Sequence, residues 1–99
     1  MPSMHLDLQE GFANDAVEIL VNGNIVLQTE GVTTKRMLGL ALSSEIEVPD
    51  GTLDIEIRVP TKNLSHTISV ESSTTPNLGI SIHNGQIKII TSERRFGYA

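Results

Sequence analysis

One alternation behind a turn sequence constrains this chain more than any other feature. Leu53, Ile55, Ile57 and Val59 alternate with Thr52, Asp54, Glu56 and Arg58, directly after Pro49-Asp50-Gly51. Successive side chains of a strand point to opposite faces, so this pattern gives one wholly apolar face and one polar face. Pro49 presets its own φ and Gly51 supplies a positive one, so the segment turns back from Glu45-Ile46-Glu47-Val48 as a hairpin. Pro60 has no N–H to give to a ladder and ends the strand.

The same period of two recurs. Met4, Leu6 and Leu8 alternate with His5 and Asp7, and Val17, Ile19 and Val21 alternate with Glu18 and Leu20. Asn22-Gly23 then precedes a second apolar stretch through Ile25, Val26 and Leu27, and both turn residues tolerate the positive φ that a type I′ hairpin demands. Ile68 and Val70 mark a further strand, with His66 on their face and so expected to be partly buried. Asn84-Gly85 separates Leu78–Ile82 from Ile87–Ile90, while residues 72–77 form a polar connection. Residues 33–42 read two ways. Leu38, Leu40 and Leu42 alternate as in a strand, whereas Met37, Leu38, Ala41 and Leu42 have helical spacing behind Thr33 or Thr34 as a cap. Gly39 costs a helix ~1 kcal/mol relative to alanine, which favours the strand and leaves a short helix as the alternative.

Seven or eight short strands with regularly spaced turns predict an all-β fold, with residues 1–99 forming a single antiparallel β-sandwich of Ig-like or prealbumin-like type. The core material agrees: 11 Ile, 10 Leu and 7 Val stand against 2 Phe, 1 Tyr and no Trp. β-Branched aliphatics are stiff at χ1 and fit a pleated surface. An antibody-type domain is not indicated, because the chain has neither cysteine nor tryptophan.

The run Val17-Glu-Ile-Leu-Val-Asn-Gly-Asn-Ile-Val26, followed by Gly31-Val-Thr-Thr34 and Ile46-Glu-Val-Pro-Asp-Gly51, resembles bacterial prealbumin-like or PEGA-like β-sandwich modules. Those families also pair a V-x-V-N-G hairpin with a later V-P-x-G turn before an alternating strand. The resemblance covers roughly the first sixty residues, and it implies an accessory, adhesive or interaction unit without catalytic residues to carry over. The whole chain is also similar to small stand-alone bacterial proteins with no assigned function.

The chemistry-bearing residues exclude several functions. Seven basic residues against twelve acidic ones give a net charge of −5, unfavourable for nucleic-acid phosphates and for an anionic membrane surface. No cysteine is present, so thiolate nucleophiles and Cys-ligated zinc are ruled out. His5, His66 and His83 lack ligand spacing, and no calcium-loop pattern or G-x-S-x-G occurs. Three aromatic residues do not make a sugar-stacking platform. The expectation is a non-enzyme without cofactor or metal. The N-terminus shows no signal peptide and no apolar run is long enough to span a membrane, so the expected location is cytoplasmic.

One local anomaly stands out. Arg94, Arg95, Phe96 and Tyr98 crowd two of the seven basic residues and two of the three aromatics into five positions, with Phe12 as a distant candidate partner. Arginine and tyrosine are enriched at interface hot spots. The alternative is that a ring covers an open end of the domain. The leading expectation is therefore a protein-interaction or structural module that self-associates, with the apolar Ile87-Lys88-Ile89-Ile90 strand as a pairing edge. A small-ligand- or calcium-binding β domain is the alternative.

Overall fold

The computed structural model describes residues 3–35, 37–73, 77–94 and 96. Eight strands follow one another: β1 (Ser3–Leu8), β2 (Asp15–Val21), β3 (Asn24–Val32), β4 (Leu42–Glu47), β5 (Thr52–Val59), β6 (Leu64–Glu71), β7 (Asn77–His83) and β8 (Gln86–Ser92). They form two four-stranded sheets, in the orders β4-β1-β7-β8 and β3-β2-β5-β6. The inner faces share one core. Met4, Leu6, Leu78 and Ile80 come from the first sheet, and Val17, Ile19, Ile55 and Ile57 from the second; all are at most 1% exposed.

The turn residues act as their chemistry requires. Asn22 and Gly23 have φ of 51° and 83°, and Asn84 and Gly85 have 52° and 71°, the two consecutive positive values that a two-residue hairpin needs. Gly51 stands at φ 104° between β4 and β5. The alternation in β5 is realised fully: Leu53, Ile55, Ile57 and Val59 are completely buried. Pro60 ends β5 by opening a 3₁₀ turn over Pro60–Lys62, which closes on Asn63 in the left-handed region.

Three expectations are corrected. The sheets are not purely antiparallel, because β1 runs parallel to β7, with Leu6 opposite Leu78 and Leu8 opposite Ile80. Alternation fixes which face a residue occupies but not which strand lies beside it. A parallel pair needs a long crossover, and here the whole second sheet lies between its members in sequence. Residues 33–42 form neither a strand nor a helix over their length. β3 ends at Val32, a lone bridge joins Lys35 to Leu40, and the tip turns through Gly39 at φ 67°. The N–H groups of Leu38 and Gly39 both bond to the Lys35 carbonyl, so the backbone groups that would extend a strand are spent within the turn. Thr34 caps no helix: its hydroxyl donates to the Gln9 carbonyl and accepts from the Phe12 N–H. Finally, His66 is exposed rather than partly buried, because β6 is an edge strand with no neighbour beyond it among the described residues.

Candidate functional site

The structure assembles two polar clusters that are scattered in sequence. The first lies where β2 begins. The Asp15 carboxylate is 2% exposed and accepts from three donors. Oδ2 accepts from the Ala13 N–H at 2.8 Å and from Lys62 Nζ at 2.5 Å. Oδ1 accepts from the Thr61 hydroxyl at 2.6 Å, and that hydroxyl oxygen accepts from the Ala16 N–H. Desolvation pushes the Asp15 carboxyl up, but the Ala13 N–H, the Lys62 ammonium and the Thr61 hydroxyl outweigh it and hold the carboxyl below its usual range. The 3₁₀ turn created by Pro60 delivers Thr61 and Lys62 to this carboxylate. Both carboxylate oxygens are bonded from within the protein, so the cluster ties the β5–β6 connection to the start of β2.

The second cluster lies on the outer face of the first sheet. His5 and Asp7 share that face by strand alternation, and β4 places Ser43 directly opposite Asp7. His5 Nε2 lies 2.9 Å from Asp7 Oδ1 and 2.6 Å from Ser43 Oγ, while the Ser43 hydroxyl donates to Asp7 Oδ1 at 2.7 Å. These are the residue types of a serine relay, but not its wiring. A relay needs the serine proton aimed at an imidazole lone pair, with the carboxylate on the other ring nitrogen. Here one nitrogen meets both partners and the serine proton goes to the carboxylate. With the Ser43 proton directed at Asp7, Nε2 takes the donor role toward both partners and offers the serine no lone pair. The pairing of His5 with Asp7 was readable from their i, i+2 spacing. The contribution of Ser43 needed the β1–β4 register.

A recess of about 400 Å³ is lined by Glu10, Gly11, Phe12, Ala13, Thr34 and Gly39. Among the described residues, no group of three or more His, Asp or Glu side chains converges to hold a metal ion. No helix among them is long and apolar enough to cross a membrane.

The described members of the singled-out interface set do not form one patch. Phe12 packs in the common core at 3% exposure. Arg94 is exposed just beyond the end of β8, with its N–H donating to Ser92 Oγ, and Phe96 is half-buried. Arg95 and Tyr98 lie outside the described residues.

No family model, curated protein or solved structure shows significant similarity to the chain.

The four sheet edges differ in how they are defended. β3 shifts register twice against β2, and it carries Glu30 and Gly31 near its end. Such irregularities twist an edge away from further pairing. β4 presents Glu45 and Glu47, and β6 reads Ser65-His66-Thr67 and Ser69 before Glu71. β8 pairs with β7 without any register shift, and Lys88 is its sole charge. Ile90 lies on the outer face of β8, 55% exposed, opposite Gly79, which offers no side chain to cover it.

The hairpin also fixes which backbone groups of β8 are unused among the described residues. The Ile80 carbonyl accepts from the Gln9 N–H at 2.7 Å, and the Ile82 N–H donates to the Glu10 carbonyl at 2.8 Å. Those β7 residues thus bond on the β1 side. By the alternation of an antiparallel ladder, Gly79, Ser81 and His83 bond to their partners Ile90, Lys88 and Gln86. The N–H and C=O groups of Ile87, Ile89 and Thr91 are left pointing out of the sheet. β8 is a straight, β-branched edge with three residues ready to extend the ladder.

Proposed function

We propose that the chain is a non-catalytic interaction module that self-associates, built as a β-sandwich of Ig-like or prealbumin-like type. The observation that carries the reading is the contrast among the edges. Three are bulged, charged or polar, and β8 alone is regular, aliphatic and crossed by an exposed isoleucine. Edges left in this state recruit another strand. Arg94, exposed just beyond the end of β8, would flank the same contact. The outer-face His5–Asp7–Ser43 cluster supports the non-catalytic part, since its protons are committed within the cluster.

Light scattering coupled to size exclusion tests this over a concentration series. The expected mass at high concentration is twice the 10.7 kDa of the chain. A species that stays at one chain mass throughout would overturn the reading.

A further inference from the structure

We propose that two copies join β8 to β8 across a two-fold axis that passes beside Ile90, making one continuous eight-stranded sheet. This inference rests on the self-association reading above and adds the register to it.

Three constraints select the register. An antiparallel pair of identical strands in one continuous sheet is related by a two-fold axis perpendicular to that sheet. Residues directly opposite each other then point to the same face, so the axis passes beside a residue rather than between two. The outward backbone groups belong to Ile87, Ile89 and Thr91, so hydrogen-bonded pairs across the axis must be drawn from these three. Finally, the single charge on the strand must not face its own copy, since like charges directly opposite are destabilising. An axis at Lys88 violates this last condition.

Axes at Ile89 and Ile90 both satisfy the backbone. At Ile89 the exposed Ile90 side chain lies against Lys88 of the second copy. At Ile90 the two exposed isoleucines face each other. They would form a non-hydrogen-bonded pair, the type in which opposing side chains approach most closely. Ile89 then exchanges backbone bonds with Thr91 on both sides of the axis, and each Lys88 lies across from a Ser92. This register covers the most exposed apolar side chain of the strand and keeps both lysines away from each other and from the apolar centre. The partner is therefore a second copy of this chain.

Single-cysteine cross-linking tests the register, and the absence of native cysteine gives a clean background. Lys88→Cys, Ile89→Cys, Ile90→Cys and Thr91→Cys are each oxidised with copper-phenanthroline and run without reductant, alongside light scattering of each reduced variant. Across the proposed axis the two Ile90 positions have Cα atoms ~4.5 Å apart, within the span that a disulfide bridges. The expected result is a dimeric band for Ile90→Cys at least five-fold stronger than for the other three. A dimer in solution that cross-links best at residue 88, 89 or 91, or at none of the four, overturns the register while the self-association reading stands. Variants that are all monomeric, together with a monomeric native chain, overturn both.

Discussion

Lys62 Nζ lies 2.5 Å from Asp15 Oδ2, bridging 47 positions of sequence to pin a 3₁₀ turn onto the first residue of β2. The carboxylate is 2% exposed, whereas the lysine side chain is 33% exposed. The pair is therefore asymmetric. Asp15 depends on its partners far more than Lys62 does.

Replacing Lys62 with methionine should destabilise the fold by about 1–2 kcal/mol in urea denaturation, below the figure for a fully buried pair because the ammonium is partly solvated. Asp15→Ala removes the acceptor of three donors and should cost about 2–4 kcal/mol. The pH dependence follows from the lowered carboxyl. A carboxyl held below its unfolded value of ~4 contributes stability that is fully present above that value and is lost as pH falls through the folded one. Asp15→Asn should therefore be less stable than the native chain at pH 7, with the difference shrinking below about pH 4. A difference that stays constant down to pH 2 would contradict the assignment.

Two glycines that look alike in sequence should behave in opposite ways. Gly11 has φ 88°, and a Cβ there would sit 2.0 Å from the Ile82 carbonyl oxygen, a backbone atom of β7. Gly11→Ala should cost at least about 2 kcal/mol. At Gly79 the nearest atom is the Gln9 side-chain amide, at 2.7 Å, which can swing aside. Gly79→Ala should lie within about 0.5 kcal/mol of native, since the added methyl also lowers the entropy of the unfolded chain. Thermal melts of both variants check the contrast.

Ser43 should not react as a nucleophile. Its proton goes to Asp7 and its neighbour His5 presents an N–H. A fluorophosphonate probe at neutral pH should leave the residue unmodified by mass spectrometry. Labelling of Ser43 that is lost in His5→Ala would show a relay in place of the closed cluster.

Much of the architecture is legible from local chemistry. Asn22-Gly23, Pro49-Asp50-Gly51 and Asn84-Gly85 sit at turns, and the face of each residue in β5 follows from alternation alone. What escapes is non-local. Nothing in Met4-Leu6-Leu8 tells that β7 lies alongside in parallel, because the pattern encodes a face and not a neighbour. Leu38, Leu40 and Leu42 mimic a strand, yet the Lys35–Leu40 bridge and the positive φ of Gly39 bend them into a tip with Met37 92% exposed. Phe12, the distant candidate partner of the C-terminal rings, packs in the core. Asp15 and Lys62 carry no sequence sign of each other, because their meeting depends on β2, β5 and the turn at Pro60 together. The β8 edge was partly visible: its aliphatic run is in the sequence, but its edge position and the exposure of Ile90 come from strand order.

Ile90 and Ile25 offer the most direct test of the central claim. They are 55% and 54% exposed, each on an edge strand, but β3 is bulged where β8 is regular. A lysine at either site removes a similar apolar surface and adds the same charge. Light scattering of Ile90→Lys and Ile25→Lys beside the native chain, at one concentration where the native chain is dimeric, separates the two edges. The account predicts a monomer for Ile90→Lys and an unchanged dimer for Ile25→Lys. A dimer that survives Ile90→Lys, or that is lost equally in both variants, would contradict it.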